Sequence, residues 1–434
     1  MKTAFDELLM VASEPSFAGR MQRLRREHSM SEFLKARTEL AETVRQIVAD
    51  VGRRGDAAVA EYTERFDKVA LRPEEFRISA EALKAAHGQL DAALLGTLRK
   101  AIANIRAYQS EIFIGRKNTS AGIRYTPLKR VGLCIPGASA PLPSTVMMTA
   151  IPAQVAGVEE IAVISPPRWQ GGIHPVILGL CHELGITEVY RLGGAQAVSA
   201  LAWGTETIAK VDKIVGPGHD VVQLAKKEVF GLVDMDSFAG PSDVLIVADA
   251  QANPAWVAAD MLSQAEHDPG SGVVATDSEA FARAVLAELE QQTPRLARAE
   301  ATARCLKATS GIVVFETMDA VIAWANDFAA EHLQVQCGDR SRVIAARLTN
   351  AGALFIGPFT PVAVGDYWAG PSHTLPTRQT SKYFSAVTSN DFVKSTSIIE
   401  YSQEQLAAAA DDIVRLAMTE GLDAHAKSVQ RRVQ

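Results

Sequence analysis

Glu188-Val189-Tyr190-Arg191-Leu192-Gly193-Gly194-Ala195-Gln196-Ala197-Val198-Ser199-Ala200-Leu201-Ala202-Trp203 is the stretch that decides the fold. The run to Leu192 reads as a short strand, the two glycines as a tight turn, and the alanine-rich run to Trp203 as a helix. The same alternation recurs on both sides. Residues 161–165 and 213–215 read as strands, and residues 176–184 and 221–230 as helices. Strands end in turn residues: Pro166-Pro167, Gly193-Gly194, Gly216-Pro217-Gly218. Upstream, residues 123–135 read as two short strands stopped by Pro136-Gly137. Strands alternating with helices are the mark of a parallel sheet, whose ligands usually lie in the crevice at the carboxyl ends of the strands.

A second alternating block starts at residues 244–249 and includes strands at 272–275, 311–315 and 333–335. Its helix from Pro254 carries Gln264 and His267, three residues apart and so on one helix face. Pro269-Gly270 stops that helix, which puts His267 in its last turn. The first quarter reads as helices, with Ser79 and Asp91 as N-caps. Residues 389–399 read as a strand or connector. From Ser402 onward one or two helices carry Glu420 and His425.

At 434 residues the chain exceeds what one core usually supports, so two main domains are expected. Its net charge of −6 argues against general affinity for nucleic acid or anionic membrane. Cys134, Cys181, Cys305 and Cys337 form no C-x-x-C pair, which suggests neither a disulfide framework nor a thiolate zinc site and fits a reducing cytoplasm. Asp6 and Glu7 stand where an export signal would need an apolar run. The most apolar segment, residues 146–158, is too short to span a bilayer.

His28, His87, His174 and His182 lie in or beside helices among surface-type residues and read as surface or capping groups. His267, His332, His373 and His425 stand in odder places: a helix end, a helix-to-strand junction beside Glu331, a Gly-Pro-Ser-His loop and the C-terminal helix. Imidazoles and carboxylates are natural zinc ligands and general bases. These residues show no HExxH-type local spacing, however. The dinucleotide fingerprint G-x-G-x-x-G is also absent, since Gly216-Pro217-Gly218 is followed by His219-Asp220-Val221. Spacing alone reaches only a two-domain α/β protein with the makings of an enzyme.

Several ordered motifs go further: Leu192-Gly193-Gly194-Ala195-Gln196-Ala197, Ala239-Gly240-Pro241-Ser242, Ser263-Gln264-Ala265-Glu266-His267, Glu331-His332-Leu333, Gly365-Asp366-Tyr367, Leu375-Pro376-Thr377 and Asp391-Phe392. With these the chain resembles the histidinol dehydrogenases from about residue 20 to its C-terminus. The resemblance implies a zinc- and NAD-dependent homodimer that oxidises L-histidinol through the aldehyde to L-histidine, the last step of histidine biosynthesis. By position it assigns zinc to Gln264, His267, Asp366 and His425, and proton transfer and water activation to Glu331 and His332. Further substrate contacts fall on Ser242, His373 and Glu420. Glu420 and His425 would come from the partner subunit.

The implied fold is α/β, with two incomplete Rossmann-like parallel sheets. One domain spans 26–130 and 243–386, an inserted one spans 131–242, a helical segment covers 1–25, and a dimer-crossing segment covers 387–434. The cofactor contacts fall on Cys134, Gln196 and His219. Two of these depart from the family, which usually has Tyr at the first position and Asn at the third. Two other readings stand beside this one: a related zinc dehydrogenase for another polar alcohol such as a sulfonated diol, and a two-lobed binding protein, which the Glu331-His332 pair disfavours.

Overall fold

The structure, a computed structural model, describes residues 4–115, 122–137, 141–267 and 269–434. Its strands in chain order are Leu9–Val11 (β1), Ile123–Pro127 (β2), Arg130–Cys134 (β3), Glu160–Ile164 (β4), Glu188–Tyr190 (β5), Lys213–Val215 (β6), Asp234–Met235 (β7), Ser242–Ala248 (β8), Gly270–Thr276 (β9), Gly311–Val314 (β10), His332–Gln336 (β11), Ala353–Ile356 (β12) and Val393–Ser397 (β13).

Two all-parallel sheets result. One has the order β5-β4-β3-β6-β7, the other β1-β10-β9-β8-β11-β12. In each, the first strand of its block, β3 or β8, sits in the middle. The second and third strands run out to one side, the fourth and fifth to the other. Both central strands are buried almost throughout, and the two-residue period of a strand sends alternate side chains to opposite faces. Val244 and Ile246 thus join one core, Leu245 and Val247 another.

The helices follow from those faces. The six-stranded sheet is covered on one side by Pro254–Ala265 and Glu279–Gln292, and on the other by Met318–Phe328. With both faces occupied, the helices of residues 38–112 pack elsewhere. Val44, Ile47 and Val59 lie against one face of the five-stranded sheet, Leu83, Leu98 and Ile105 against the other. By packing, these helices lie on the five-stranded sheet, within the one compact unit that residues 1–113 and 127–393 form. The N-terminal segment differs from its helical reading, because residues 9–11 form β1 alongside β10. Three residues are too few to show a period.

Residues 114–126 and 394–434 form a second compact unit. In it the strand pair β13-β2 is joined by helices Gln403–Thr419 and Asp423–Val433, which pack on each other. Ser402 caps the first helix by accepting from Gln405 N–H, while Gln405 accepts from the Ser402 amide. Among the described residues no helix is long and apolar enough to cross a membrane.

Candidate active site

The polar groups singled out in the second block gather at the amino edge of the six-stranded sheet, opposite to the carboxyl edge expected for such folds. Parallel pairing sets His332 of β11 level with Val244 of β8, so Ser242, Asp243, Glu331 and His332 start neighbouring strands. Helix Pro254–Ala265 ends at the same edge with Gln264 buried. The abrupt stop after it has a steric cause, because a Cβ on Gly270 would lie 1.9 Å from the Gln264 carbonyl oxygen. Only glycine lets the chain double back there into β9. His267 lies just past the helix, not in its last turn, with its N–H 3.2 Å from the Gln264 carbonyl.

Ser242 Oγ stands 2.8 Å from both Gln264 Oε1 and Glu331 Oε2. Its single proton can serve only one of them. Glu331 is locked by Asp243: the Asp243 amide donates to Glu331 Oε2 and the Glu331 amide donates to Asp243 Oδ1, each at 2.9 Å. His332 Nδ1 lies 2.9 Å from the Asp243 carbonyl oxygen. A carbonyl can only accept, so Nδ1 carries the hydrogen and Nε2 of the neutral ring is a bare lone pair. That Nε2 is buried and makes no hydrogen bond among the described residues; Asp366 Oδ1 faces it at 3.6 Å.

Burial alone would lower the proton affinity of His332. The negative charge of Glu331 and the carboxylate of Asp366 outweigh it and hold the ring well above its ordinary value. Asp366 feels burial in the opposite sense, yet contact with His332 and the proximity of His373 and His267 keep it below the usual carboxylate range. His373 is half-buried and pulled down by desolvation. Gln264, His267 and Asp366 offer an amide oxygen, an imidazole nitrogen and a carboxylate, a donor set that a divalent cation accepts. Among the described residues no three His, Cys, Asp or Glu side chains gather around one metal position. Glu420 and His425 belong to the second unit, one just after its first helix and the other within its second.

The five-stranded sheet opens at its other end. A cavity of about 350 Å³ lies at the carboxyl ends of its strands, lined by Cys134, Pro136, Leu192, Gln196, Gly218 and His219 among others. It sits between β3 and β6, where the strand order reverses. A Cβ on Gly216 would lie 2.4 Å from the Cys134 carbonyl oxygen, and its φ is +121°, so the turn below the cavity demands glycine. The buried Lys226 ammonium holds that turn by donating to the Gly216 and Ser237 carbonyls and pairing with Asp236. Ala138, the last residue of the departing Cys134-Ile135-Pro136-Gly137-Ala138 motif, lies outside the described residues.

A family model described as histidinol dehydrogenase matches residues 32–433. The chain belongs to the histidinol dehydrogenase family. Histidinol dehydrogenase from Rhodopirellula baltica is 45% identical to it over 415 residues, covering 94% of this chain and 90% of that protein. The one from Geobacillus kaustophilus is 43% identical over 423 residues, covering 96% and 99%. The crystal structure of histidinol dehydrogenase from Elizabethkingia anophelis matches with a TM-score of 0.88 at 32% identity, over 98% of this chain and 97% of that one.

Of the residues that resemblance to histidinol dehydrogenases singles out, Ser242, Gln264, Glu331, His332 and Asp366 share the amino edge. His267 and His373 lie within electrostatic reach of Asp366. Cys134, Gln196 and His219 line the separate cavity. Sequence reading missed two groups. Asp67, whose carboxyl burial pushes up, faces Arg168 and Gln196 in the cavity wall. His28, read as a surface residue, is buried, packs its ring 4.9 Å from that of Phe328 and faces Asp243. Both were hidden because each sits near a helix end, where a polar residue is unremarkable. His87 is likewise no idle surface group, as its Nε2 lies 2.7 Å from Glu183, which also binds Arg99. His174 does cap its helix, accepting from the Val176 amide.

Proposed function

We propose that this chain oxidises L-histidinol through L-histidinal to L-histidine, using two NAD, one water and zinc, as a cytoplasmic homodimer with shared active sites. The observation that carries it is the buried His332 ring, whose Nδ1 is held by the Asp243 carbonyl and lies 3.4 Å from Glu331 Oε2, and whose Nε2 faces Asp366 Oδ1 at 3.6 Å. That Nε2 is built to take a proton. It removes the hydroxyl proton of the alcohol while hydride leaves for the nicotinamide. Glu331 then draws a proton from water as it adds to the aldehyde, His332 returns its proton to the former aldehyde oxygen, and the ring so freed accepts the proton of the hydrate while a second hydride leaves. Ser242 and His373 contact the substrate.

Zinc falls to Gln264, His267, Asp366 and His425. When bound, the ion would orient the imidazole and amino nitrogens of the substrate and offset the charge of Asp366. Glu420 and His425 act from the partner subunit. Support for the dimer comes from apolar side chains left exposed on a single chain: Trp256, Phe359, Tyr367 and Trp368 around the site's helices, and Ile399, Tyr401, Leu416 and Met418 in the second unit. NAD falls to the cavity, whose volume and mostly apolar wall suit a nucleotide. Cys134 and His219 touch it in place of the usual Tyr and Asn, beside Gln196. The relatives lend no support to a sulfonated diol.

An NADH-absorbance assay with L-histidinol, NAD and zinc, run beside NADP and a sulfonated diol, tests this directly; turnover of the diol alone would overturn it. Mixed H332A and H425A variants should regain activity after subunit exchange. Demonstrated heterodimers without recovery would remove the shared site.

A further inference from the structure

We propose that Asp67 reads the adenosine ribose of the cofactor, its carboxylate accepting from the 2′- and 3′-hydroxyls of NAD and repelling the 2′-phosphate of NADP. The inference rests on the reading that NAD occupies the cavity at the carboxyl ends of the five-stranded sheet.

Asp67 is poorly placed for a structural purpose. It is the last residue of helix Asp56–Asp67, where the helix dipole disfavours a negative charge, and its side chain is only 5% exposed. Burial pushes its carboxyl up. Its partners compensate little. Arg168 Nε stands 3.6 Å from Oδ1, beyond ordinary hydrogen-bond length, on a side chain that is half in solvent. Gln196 Nε2 reaches Oδ2 only at 3.5 Å. A carboxylate can accept about four hydrogen bonds, so most of that capacity is unused among the described residues. Asp67, Arg168 and Gln196 all line the cavity. A vicinal diol placed there presents two hydroxyl donors to the two oxygens of one carboxylate.

Strand order says which ribose this is. Arg168 follows β4 and Gln196 follows β5, so Asp67 stands at that end of the order β5-β4-β3-β6-β7. The other end leads to the reacting groups. The chain leaving β7 runs on to Ser242, and the Gly218 amide, just past β6, donates to the Ala239 carbonyl of that connection at 3.2 Å. Three strand spacings of about 4.8 Å separate β4 from β7. The hydride-accepting nicotinamide belongs at the β6–β7 end, which leaves the adenosine at the β4–β5 end. A 2′-phosphate there would set its charge against Asp67 in a wall that holds little water.

Titration calorimetry of the full-length, zinc-loaded protein tests this with NAD, NADP and NAD lacking the adenosine 2′-hydroxyl, for the parent, D67N and Q196A. The parent should bind NAD about 30-fold more tightly than either analogue, the worth of a hydrogen bond to a charged group. In D67N the three Kd values should fall within about threefold of one another, since the charged acceptor is gone and Arg168 is released to a phosphate. Values of kcat/KM with L-histidinol should follow the same ratios. The urea midpoint of D67N should equal or exceed that of the parent, because the helix end sheds an ill-placed charge.

A parent that binds NADP as tightly as NAD would overturn the proposal. So would a D67N chain that keeps the parent's preferences while Q196A weakens NAD, or one that loses stability with its preferences unchanged. If D67N and Q196A both leave NAD binding untouched, the cavity reading falls along with it. Should D67N not fold, D67S and the parent's own ranking of the three cofactors still decide.

Discussion

Two parallel sheets in this chain share one strand order, yet one presents its carboxyl edge to a cavity and the other presents its amino edge to the reacting groups. The difference lies in what fills the opposite edge. At the amino edge of the five-stranded sheet, Arg130 pairs with Glu160 and Glu188 at 2.9 and 2.6 Å, and Lys213 pairs with Asp234. That edge is closed by its own charges. At the carboxyl edge of the six-stranded sheet, Asp249 accepts from the Gln251 amide and faces Arg340, while the Cys337 amide donates to Ser341 Oγ. Strand order allows a crevice where it reverses, and the side chains at the strand ends settle which edge is used.

The comparison breaks first at the amino edge of the six-stranded sheet. His332→Ala should cut kcat by about 10³-fold, within the range for a general base, while zinc content stays that of the parent, because this residue is assigned to proton transfer and not to the metal. Steady-state kinetics with metal analysis of the same sample check it; loss of zinc would mean that His332 is a ligand.

The closed amino edge of the five-stranded sheet should answer in stability. Arg130→Met removes the partner that Glu160 and Glu188 share and leaves them only Lys129 and the Tyr190 hydroxyl; because both carboxylates keep some solvent, about 2 kcal/mol of unfolding free energy should go, with KM values unchanged in what still folds. The sign with pH follows from Glu188, which hydrogen bonding to Arg130 holds below its ordinary value despite burial. That stabilisation is complete above the unfolded carboxylate value of about 4.3 and is lost as pH falls through the lower folded value. The gap between variant and parent in urea midpoint should therefore narrow in acid. A gap that widened would remove the ion pair as its cause.

The smallest effect belongs to the open carboxyl edge. Gln196→Ala should raise the KM for NAD about tenfold, the worth of one good hydrogen bond, with kcat at saturating NAD and the KM for histidinol kept. A raised KM for histidinol with an unchanged KM for NAD would instead place Gln196 in the substrate site.

Much of this was legible in residues. Strand Lys213–Val215 and helix Gly194–Trp203 lie where their periods and flanking glycines put them, within a residue. Ser79 and Asp91 cap their helices by accepting from Ala82 and Leu94. Gln264 was legible only through the motif, since a lone glutamine on a helix face announces no ligand. β1 escaped because three residues carry no period, and His28 because a histidine ending a basic helix looks solvated.

The sequence by itself determined the alternating elements and, through its ordered motifs, the family, because periodicity, caps and motifs are local and survive in a single chain read in order. Only the tertiary structure decided the rest. It set which edge of each sheet is used, where segment 26–130 packs, and that Asp243 reaches Glu331 and His332 across 88 and 89 positions of chain. Those facts depend on strand register and on which buried group meets which, and neither is contained in the order of residues along one segment.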